Sequence, residues 1–203
     1  MIPGKPQILT CPFCGKEKQI MSLVSGNTCG SELWSDNKQI APMLPEISYV
    51  QKCPQCGKCY ITERQAVRYA EEGYCFEKGL LTFPEMKEAF AQLAEEGFQN
   101  EKEETRVRLM LHHAYNDYYF RSGDKKAIID EDKAQFIENG RWLIEHWITD
   151  DVLKAEFYRE IGEMETAKSI LASIVVEKEF LQNIVTSIKE RIERNNCEVF
   201  KIY

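Results

Sequence analysis

The chain has 203 residues, 43% of them hydrophobic and 29% charged, the proportions of a folded globular protein and not of a fibrous repeat or a disordered chain. Lys and Arg number 26 against 33 Asp and Glu, a formal charge of −7. That balance disfavours a general nucleic-acid binder, because neutralising phosphates takes a surplus of cations. The charge is uneven, +2 over residues 1–64 and −9 over residues 65–203.

The first ten residues, Met-Ile-Pro-Gly-Lys-Pro-Gln-Ile-Leu-Thr, hold no apolar stretch of the signal-peptide kind. No apolar run approaches the ~20 residues that cross a bilayer. The sequence therefore implies a cytoplasmic protein without a membrane segment. In a reducing compartment, cysteines at short fixed spacing are metal ligands or redox groups before they are disulfides.

Proline divides the chain. Six of the seven prolines fall within the first 54 residues, and only Pro84 follows. Proline removes a backbone donor and breaks helix interiors, so strands and turns are expected first and helices afterwards. Short β-type runs stand at Ile8–Thr10, Gln19–Val24, Ile47–Gln51 and Tyr60–Thr62. Between them Ser25–Glu46 is rich in Ser, Gly, Asn, Asp and Pro and reads as a long inserted loop, with Trp34, Met43 and Leu44 tucked against the fold.

Two motifs flank that loop, Cys11-Pro12-Phe13-Cys14-Gly15 and Cys53-Pro54-Gln55-Cys56-Gly57. Two residues between cysteines let one tight turn aim both sulfurs at a single ion, and two such turns supply a tetrahedral set of four. Glycine after the second cysteine permits the positive φ that swings backbone N–H groups towards the sulfurs. Lys16, Lys18, Lys52 and Lys58 add a favourable field. With four thiolates the ion has no open position for water or substrate, so its role is structural. The metal ligands expected are Cys11, Cys14, Cys53 and Cys56, and the ion is Zn2+. Whether Cys29 or Cys59 joins them is left open by spacing alone; Cys75 and Cys197 read as packing groups.

This stretch resembles a zinc ribbon, in which each knuckle sits at the turn of a β-hairpin. The 38 residues from Gly15 to Lys52 exceed a compact ribbon, which makes Ser25–Glu46 an insertion. Rubredoxins also carry two such knuckles and bind iron for electron transfer. The acidic, proline-, glycine- and aromatic-rich pattern expected between their knuckles is missing here. A rubredoxin-like iron-thiolate carrier and a nucleic-acid-associated zinc-ribbon protein stand as alternatives.

Beyond Thr62 the hydrophobic period becomes helical. A first helix is expected over Glu63–Glu72. A second opens at Thr82, whose pairing with Glu85 forms a capping box, and buries Met86, Ala89, Phe90 and Leu93. A third covers Glu103–Arg121, with Val107, Leu111, Ala114, Tyr115 and Tyr118 on one face. A fourth covers Glu131–Ile148, with Phe136, Gly140, Leu143, Ile144 and Trp147 inward. Further helices are expected from Asp150 or Asp151 to Ile161, over Glu163–Val176 and over Lys178–Arg194. The last presents Phe180, Leu181, Ile184, Val185, Ile188 and Ile192, and the tail Cys197–Tyr203 reads as a short strand or docking segment.

Residues 151–176 resemble one tetratricopeptide repeat. Ala155 and Ala167 stand at the small positions where two helices cross, Tyr158 at the aromatic position and Gly162 at the turn. A weaker echo lies 39 residues earlier, with Tyr119 and Gly123-Asp124 matching, but with Asn116 and Ile128 in place of the alanines. Together with the knuckles and the Ala114-Tyr-Asn-Asp-Tyr118 run, this resembles bacterial families of unknown function that join an N-terminal zinc ribbon to tetratricopeptide-like helices.

The sequence thus implies an α+β, mostly α protein. Residues 1–62 form a zinc-ribbon module with its inserted loop 25–46, and residues 63–203 an antiparallel helical array. No His-Glu-x-x-His, Gly-x-Ser-x-Gly, phosphate loop or Gly-x-Gly-x-x-Gly occurs, so no catalytic residue is expected. Neighbouring helical residues point about 100° apart. His112 and His113 therefore cannot share one ion, and with His146 they read as surface or partly buried structural residues. Glu101, Glu103 and Glu104 read as a solvated helix start. The function implied is an intracellular adapter that binds a protein or peptide partner on its helices.

Overall fold

Strands fill the first third of the chain and helices the remainder, as the proline distribution requires. The structure is a computed structural model and describes residues 1–123 and 125–203. The strands are β1 (Ile2–Pro3), β2 (Gln7–Thr10), β3 (Glu17–Ile20), β4 (Leu23–Ser25), β5 (Glu32–Leu33), β6 (Gln39–Ile40), β7 (Val50–Lys52), β8 (Cys59–Ile61) and β9 (Arg68–Tyr69). The helices are α1 (Phe83–Glu96), α2 (Glu101–Asn116), α3 (Asp130–His146), α4 (Asp151–Glu160), α5 (Met164–Ser173) and α6 (Glu179–Glu193). Among the described residues, no helix is long and apolar enough to cross a membrane.

Two units result. The first comprises Met1–Ser31 and Ile40–Val107, the second Glu32–Gln39 and Arg108–Tyr203. The division falls inside α2. It also falls inside the long loop, whose tip Glu32–Gln39 belongs to the helical unit.

In the first unit β2 and β3 form one antiparallel hairpin, with Thr10 opposite Glu17, and β7 and β8 form another, with Lys52 opposite Cys59. Both hairpins turn through a Cys-Pro-x-Cys-Gly motif. Leu9, Cys11, Ile20, Cys53 and Tyr60 are buried together, with Ile47 packed alongside. Helix α1 begins as its capping box requires, Thr82 donating from its backbone N–H (3.0 Å) and its hydroxyl (2.8 Å) to the Glu85 carboxylate. Met86, Ala89, Phe90 and Leu93 are buried, and the helix stops at Gly97, which sits at φ +86°. The Gln92 side chain completes the edge of β8 with two 2.8 Å bonds, accepting from the Cys59 N–H and donating to the Cys59 carbonyl. Lys52 reaches Glu88 at 3.1 Å and Glu85 at 3.5 Å.

The helix expected over Glu63–Glu72 does not form. A single tight turn, Thr62–Arg64, leads instead into β9, which adds to the free edge of β2 with Arg68 opposite Ile8. The turn starts after Ile61, which offers no side chain to cap the orphan N–H groups. The open edge of β2 offers paired donors and acceptors that an uncapped helix start lacks, and tertiary pairing overrides local propensity. Met43 and Leu44, expected to be covered, are 40% and 43% exposed.

In the second unit, α4 is capped by Asp150, which accepts the Leu153 N–H at 2.8 Å. It forms a helical hairpin with α5, in which Ala155 and Ala167 are fully buried and Gly162 makes the turn at φ +86°. Leu171, Val185, Ile188, Ile192 and Phe200 extend this core, with Tyr158 packed against it. Phe180, expected on the inner face of α6, is 51% exposed.

The end of α2 departs from the expected stripe. After Asn116 the helix widens into a π-type turn over Asp117–Arg121. The extra residue rotates the chain, so that Tyr119 is buried and Tyr118 is 39% exposed. Tyr119 donates its hydroxyl to Asp132. Asp124, part of the expected repeat echo, lies outside the described residues.

The tail behaves as the docking segment expected. Ile202 N–H donates to the Leu33 carbonyl at 2.7 Å, Leu33 N–H to Tyr203 at 3.1 Å and Ser35 N–H to Phe200 at 2.9 Å. Arg159, fully buried, pairs with Glu156 (Nε to Oε2, 2.8 Å) and donates to the tail carbonyls of Asn196 and Glu198.

Candidate metal centre

The two knuckles adopt one geometry twice. In the first, Gly15 N–H donates to the Cys11 carbonyl at 3.0 Å and Cys11 N–H to Lys16 at 2.8 Å. In the second, Gly57 N–H donates to Cys53 at 3.0 Å and Cys53 N–H to Lys58 at 2.9 Å. Gly15 and Gly57 sit at φ +74° and +73°, where a side chain would be strained. Each knuckle buries its first cysteine and exposes its second.

All four sulfurs lie within 4.8 Å of one another. Cys11 Sγ stands 3.7 Å from Cys56 Sγ, and Cys14 Sγ 3.5 Å from Cys53 Sγ. A tetrahedral ion with 2.3 Å bonds to sulfur separates its ligands by about 3.8 Å. A disulfide would need about 2.05 Å. The donor set therefore fits a four-thiolate metal ion, and the cluster is compatible with a structural metal site.

The electrostatics agree. Desolvation works against the Cys53 thiolate, but backbone N–H groups of Cys56 and Gln55 outweigh it and bring the thiol down to about 6. At Cys14 the Lys16 N–H favours the thiolate, yet desolvation and the neighbouring sulfurs of Cys53, Cys56 and Cys11 push it up to about 12. Four sulfurs at this distance cannot all ionise unless a cation sits among them. Beneath the cluster the buried Tyr60 hydroxyl has no hydrogen-bond partner; burial, then the sulfurs, hold it up at about 12.

The other cysteines stand apart. Cys59 is buried on β8, its thiol raised to about 11 by burial. Cys29 is exposed in the loop. Cys75 points its thiol at the Gln19 carbonyl, 3.6 Å away, and burial raises the Cys197 thiol. Among the described residues only the four knuckle cysteines cluster.

Two features of the sequence are corrected. Glu103 is buried and accepts from Arg64 Nε at 3.0 Å and the Gln99 N–H at 3.0 Å, so it anchors a helix start that was expected to be solvated. His112 is not peripheral but fully buried, stacked between Phe136 (4.7 Å) and Phe157 (4.5 Å). Its Nε2 lies 2.8 Å from Glu160 Oε2, which also accepts from Asn116 Nδ2 at 3.1 Å. Asn116 donates in addition to Asp36 Oδ2 at 2.9 Å, and Arg121 pairs with the same oxygen. His113 is mostly buried, its Nε2 3.1 Å from the Asp36 carbonyl, while His146 is exposed and stacked on Trp142.

This buried network escaped the sequence because its members come from four separate segments. Its signal was the polar residue at 116, where a repeat would carry alanine. Desolvation holds Glu160 well above the usual carboxylate range and His112 down at about 3, so burial favours the neutral form of both. Asp36 behaves oppositely. Burial opposes its charge, but His113, Arg121 and Asn116 outweigh that and hold it at about 2.

Compared with protein-family models, with curated proteins and with solved structures, the chain matches none.

Proposed function

We propose that the protein is an intracellular zinc-binding adapter. One structural Zn2+ is held by Cys11, Cys14, Cys53 and Cys56 in a zinc-ribbon module, and a tetratricopeptide-like helical unit receives a protein or peptide partner. The observation that carries the reading is the convergence of the four sulfurs within 4.8 Å from two matching turns. Two hairpins with so few buried residues have little to hold them without an ion, and structural zinc contributes folding free energy directly. Zinc is preferred over iron because the segment between the knuckles lacks a rubredoxin-like pattern. The basic field that nucleic acid would need is partly spent, since Lys52 pairs with Glu85 and Glu88 and Lys18 donates to Gln51 at 3.1 Å.

The helical reading rests on the α4–α5 hairpin, with Ala155, Tyr158, Gly162 and Ala167 in their repeat positions. A partner surface is supported by the exposed aromatic pair Phe180 and Tyr203, ring centres 6.2 Å apart, and by Val175, 91% exposed.

Metal analysis of protein purified under reducing conditions tests the centre. One zinc per chain in a colourless protein is expected; a red, iron-bearing protein or a metal-free folded one overturns it. Affinity capture tests the surface. A stoichiometric protein partner lost with Phe180→Glu supports it, and capture of nucleic acid alone overturns it.

A further inference from the structure

A cavity of about 400 Å³ opens within the helical unit. Its walls come from the loop tip, the π-type turn after α2, the end of α6 and the C-terminal tail. Trp34, Phe120 and Phe200 give it aromatic surface, and Arg121, Lys125 and Arg191 give it three cations. Both arginines are stacked on its rings, Arg121 over Trp34 at 4.8 Å and Arg191 over Phe200 at 3.8 Å.

The cations are not equally neutralised. Lys125 pairs with Glu198 at the rim. Arg121 gives Nη1 to Asp117 and Nη2 to Asp36, but among the described residues its Nε has no acceptor, and the side chain is only 5% exposed. Arg191 is half-buried and, among the described residues, donates only to the Ser187 carbonyl, at 2.9 Å. Among the described residues no carboxylate reaches ion-pairing distance of it; Glu156 and Glu190 act from further away. Burial, then the nearby Arg159 charge, lowers its basicity. A desolvated guanidinium without a carboxylate and a buried N–H without an acceptor are both costly. An anion entering the cavity would pair the first of these, Arg191. The size is that of a small-molecule site, and arginine's planar fork suits carboxylate and phosphate oxygens.

We propose that this cavity binds a small organic anion, a carboxylate or phosphate monoester on a flat apolar body. The anionic head is taken by Arg191, with the Arg121 guanidinium forming part of the wall. The flat body lies against Trp34, Phe120 and Phe200. Lys125 at the rim steers the charge inward.

Calorimetry and Trp fluorescence with four probes test this, using the full-length protein: phenyl phosphate, benzoate, inorganic phosphate and benzyl alcohol. Phenyl phosphate or benzoate should bind saturably, one per chain, and more weakly at high salt. Inorganic phosphate and benzyl alcohol, each lacking one half of the recognition, should bind at least about tenfold more weakly, about 1.4 kcal/mol. Arg191→Met should weaken aryl-anion binding about tenfold, by the same conversion, while Arg191→Lys retains part of it. Lys125→Glu, at an exposed position, should also weaken it, with the thermal midpoint measured alongside to check that the fold is kept. No saturable binding of either aryl anion overturns the proposal. So does binding indifferent to Arg191→Met and Lys125→Glu, or inorganic phosphate binding as tightly as phenyl phosphate.

Discussion

The cysteine-bearing unit packs Leu9, Ile20 and Tyr60 around two of its own candidate ligands, Cys11 and Cys53. The helical unit packs Ala155, Ala167, Leu171, Val185, Ile188 and Ile192 across three helices and adds Phe200 from the tail. It also buries ionisable side chains, with Asp36, Glu156, Arg159 and Glu160 all at or below 2% exposure. One unit brings four cysteines together at fixed spacing beside a small apolar core. The other distributes its core over periodic apolar faces and a polar network that is closed only when distant segments meet.

The largest effect follows from that contrast. Cys53→Ser, or metal removal with a chelator, should unfold the hairpins at residues 7–20 and 50–61, because structural zinc carries about 10–16 kcal/mol of apparent binding free energy in small modules. The helical hairpin should survive. Segment-resolved hydrogen exchange checks this: protection lost around β2, β3, β7 and β8 and kept in α4–α6 is the expected result. Simultaneous loss in both would mean that the helical unit depends on the ion as well.

The same contrast explains what the sequence made legible. The convergence of the four cysteines was legible because spacing and glycine chemistry are local, and both turns close as expected. The capping box at Thr82 and the small pair Ala155 and Ala167 were readable for the same reason. Residues 63–72 were misread because the partner of β9 is the edge of β2, some 60 positions away in sequence. Asp36, Asn116, His112 and Glu160 were unreadable as a group, since each alone is an ordinary polar residue on a loop or helix. Tyr118 was misplaced because a π-type turn, which leaves no periodic trace, shifted the inner face to Tyr119.

Within the helical unit, Phe157→Ala should cost about 3–5 kcal/mol. Phe157 is fully buried and stacks on His112, so its loss opens a cavity beside a group that cannot move to fill it. Denaturant unfolding should show the loss in the helical transition and leave metal content unchanged. Gly140→Ala should cost less, about 1–3 kcal/mol. A Cβ there would stand 2.5 Å from Ile161 Cγ2, and the ~1 kcal/mol that alanine gains over glycine in a helix offsets only part of the clash. Stabilisation by Gly140→Ala would mean that the contact between α3 and the end of α4 is loose.

The smallest effect, and the one that isolates the buried network, is the pH dependence of the helical unit. Asp36 lies at about 2 against the usual 3.8, so its contribution is complete above 3.8 and lost as pH falls through 2. His112 lies at about 3 against 6.5, so its contribution is complete above 6.5 and shrinks as pH falls towards 3. Glu160 is raised above 4.5, and acts in the other direction: its contribution is complete below 4.5 and is lost as pH rises towards its folded value. Stability should therefore climb from acid to about 4.5, flatten above that as Glu160 begins to oppose His112, and decline where only the Glu160 titration remains. Glu160→Gln keeps the neutral shape and removes the titration. Its thermal midpoint, matched to the parent at about 4.5, should rise above it towards 6.5, where His112 acts unopposed, and no longer decline on the alkaline side. A decline that persists unchanged in the variant would assign it to another group.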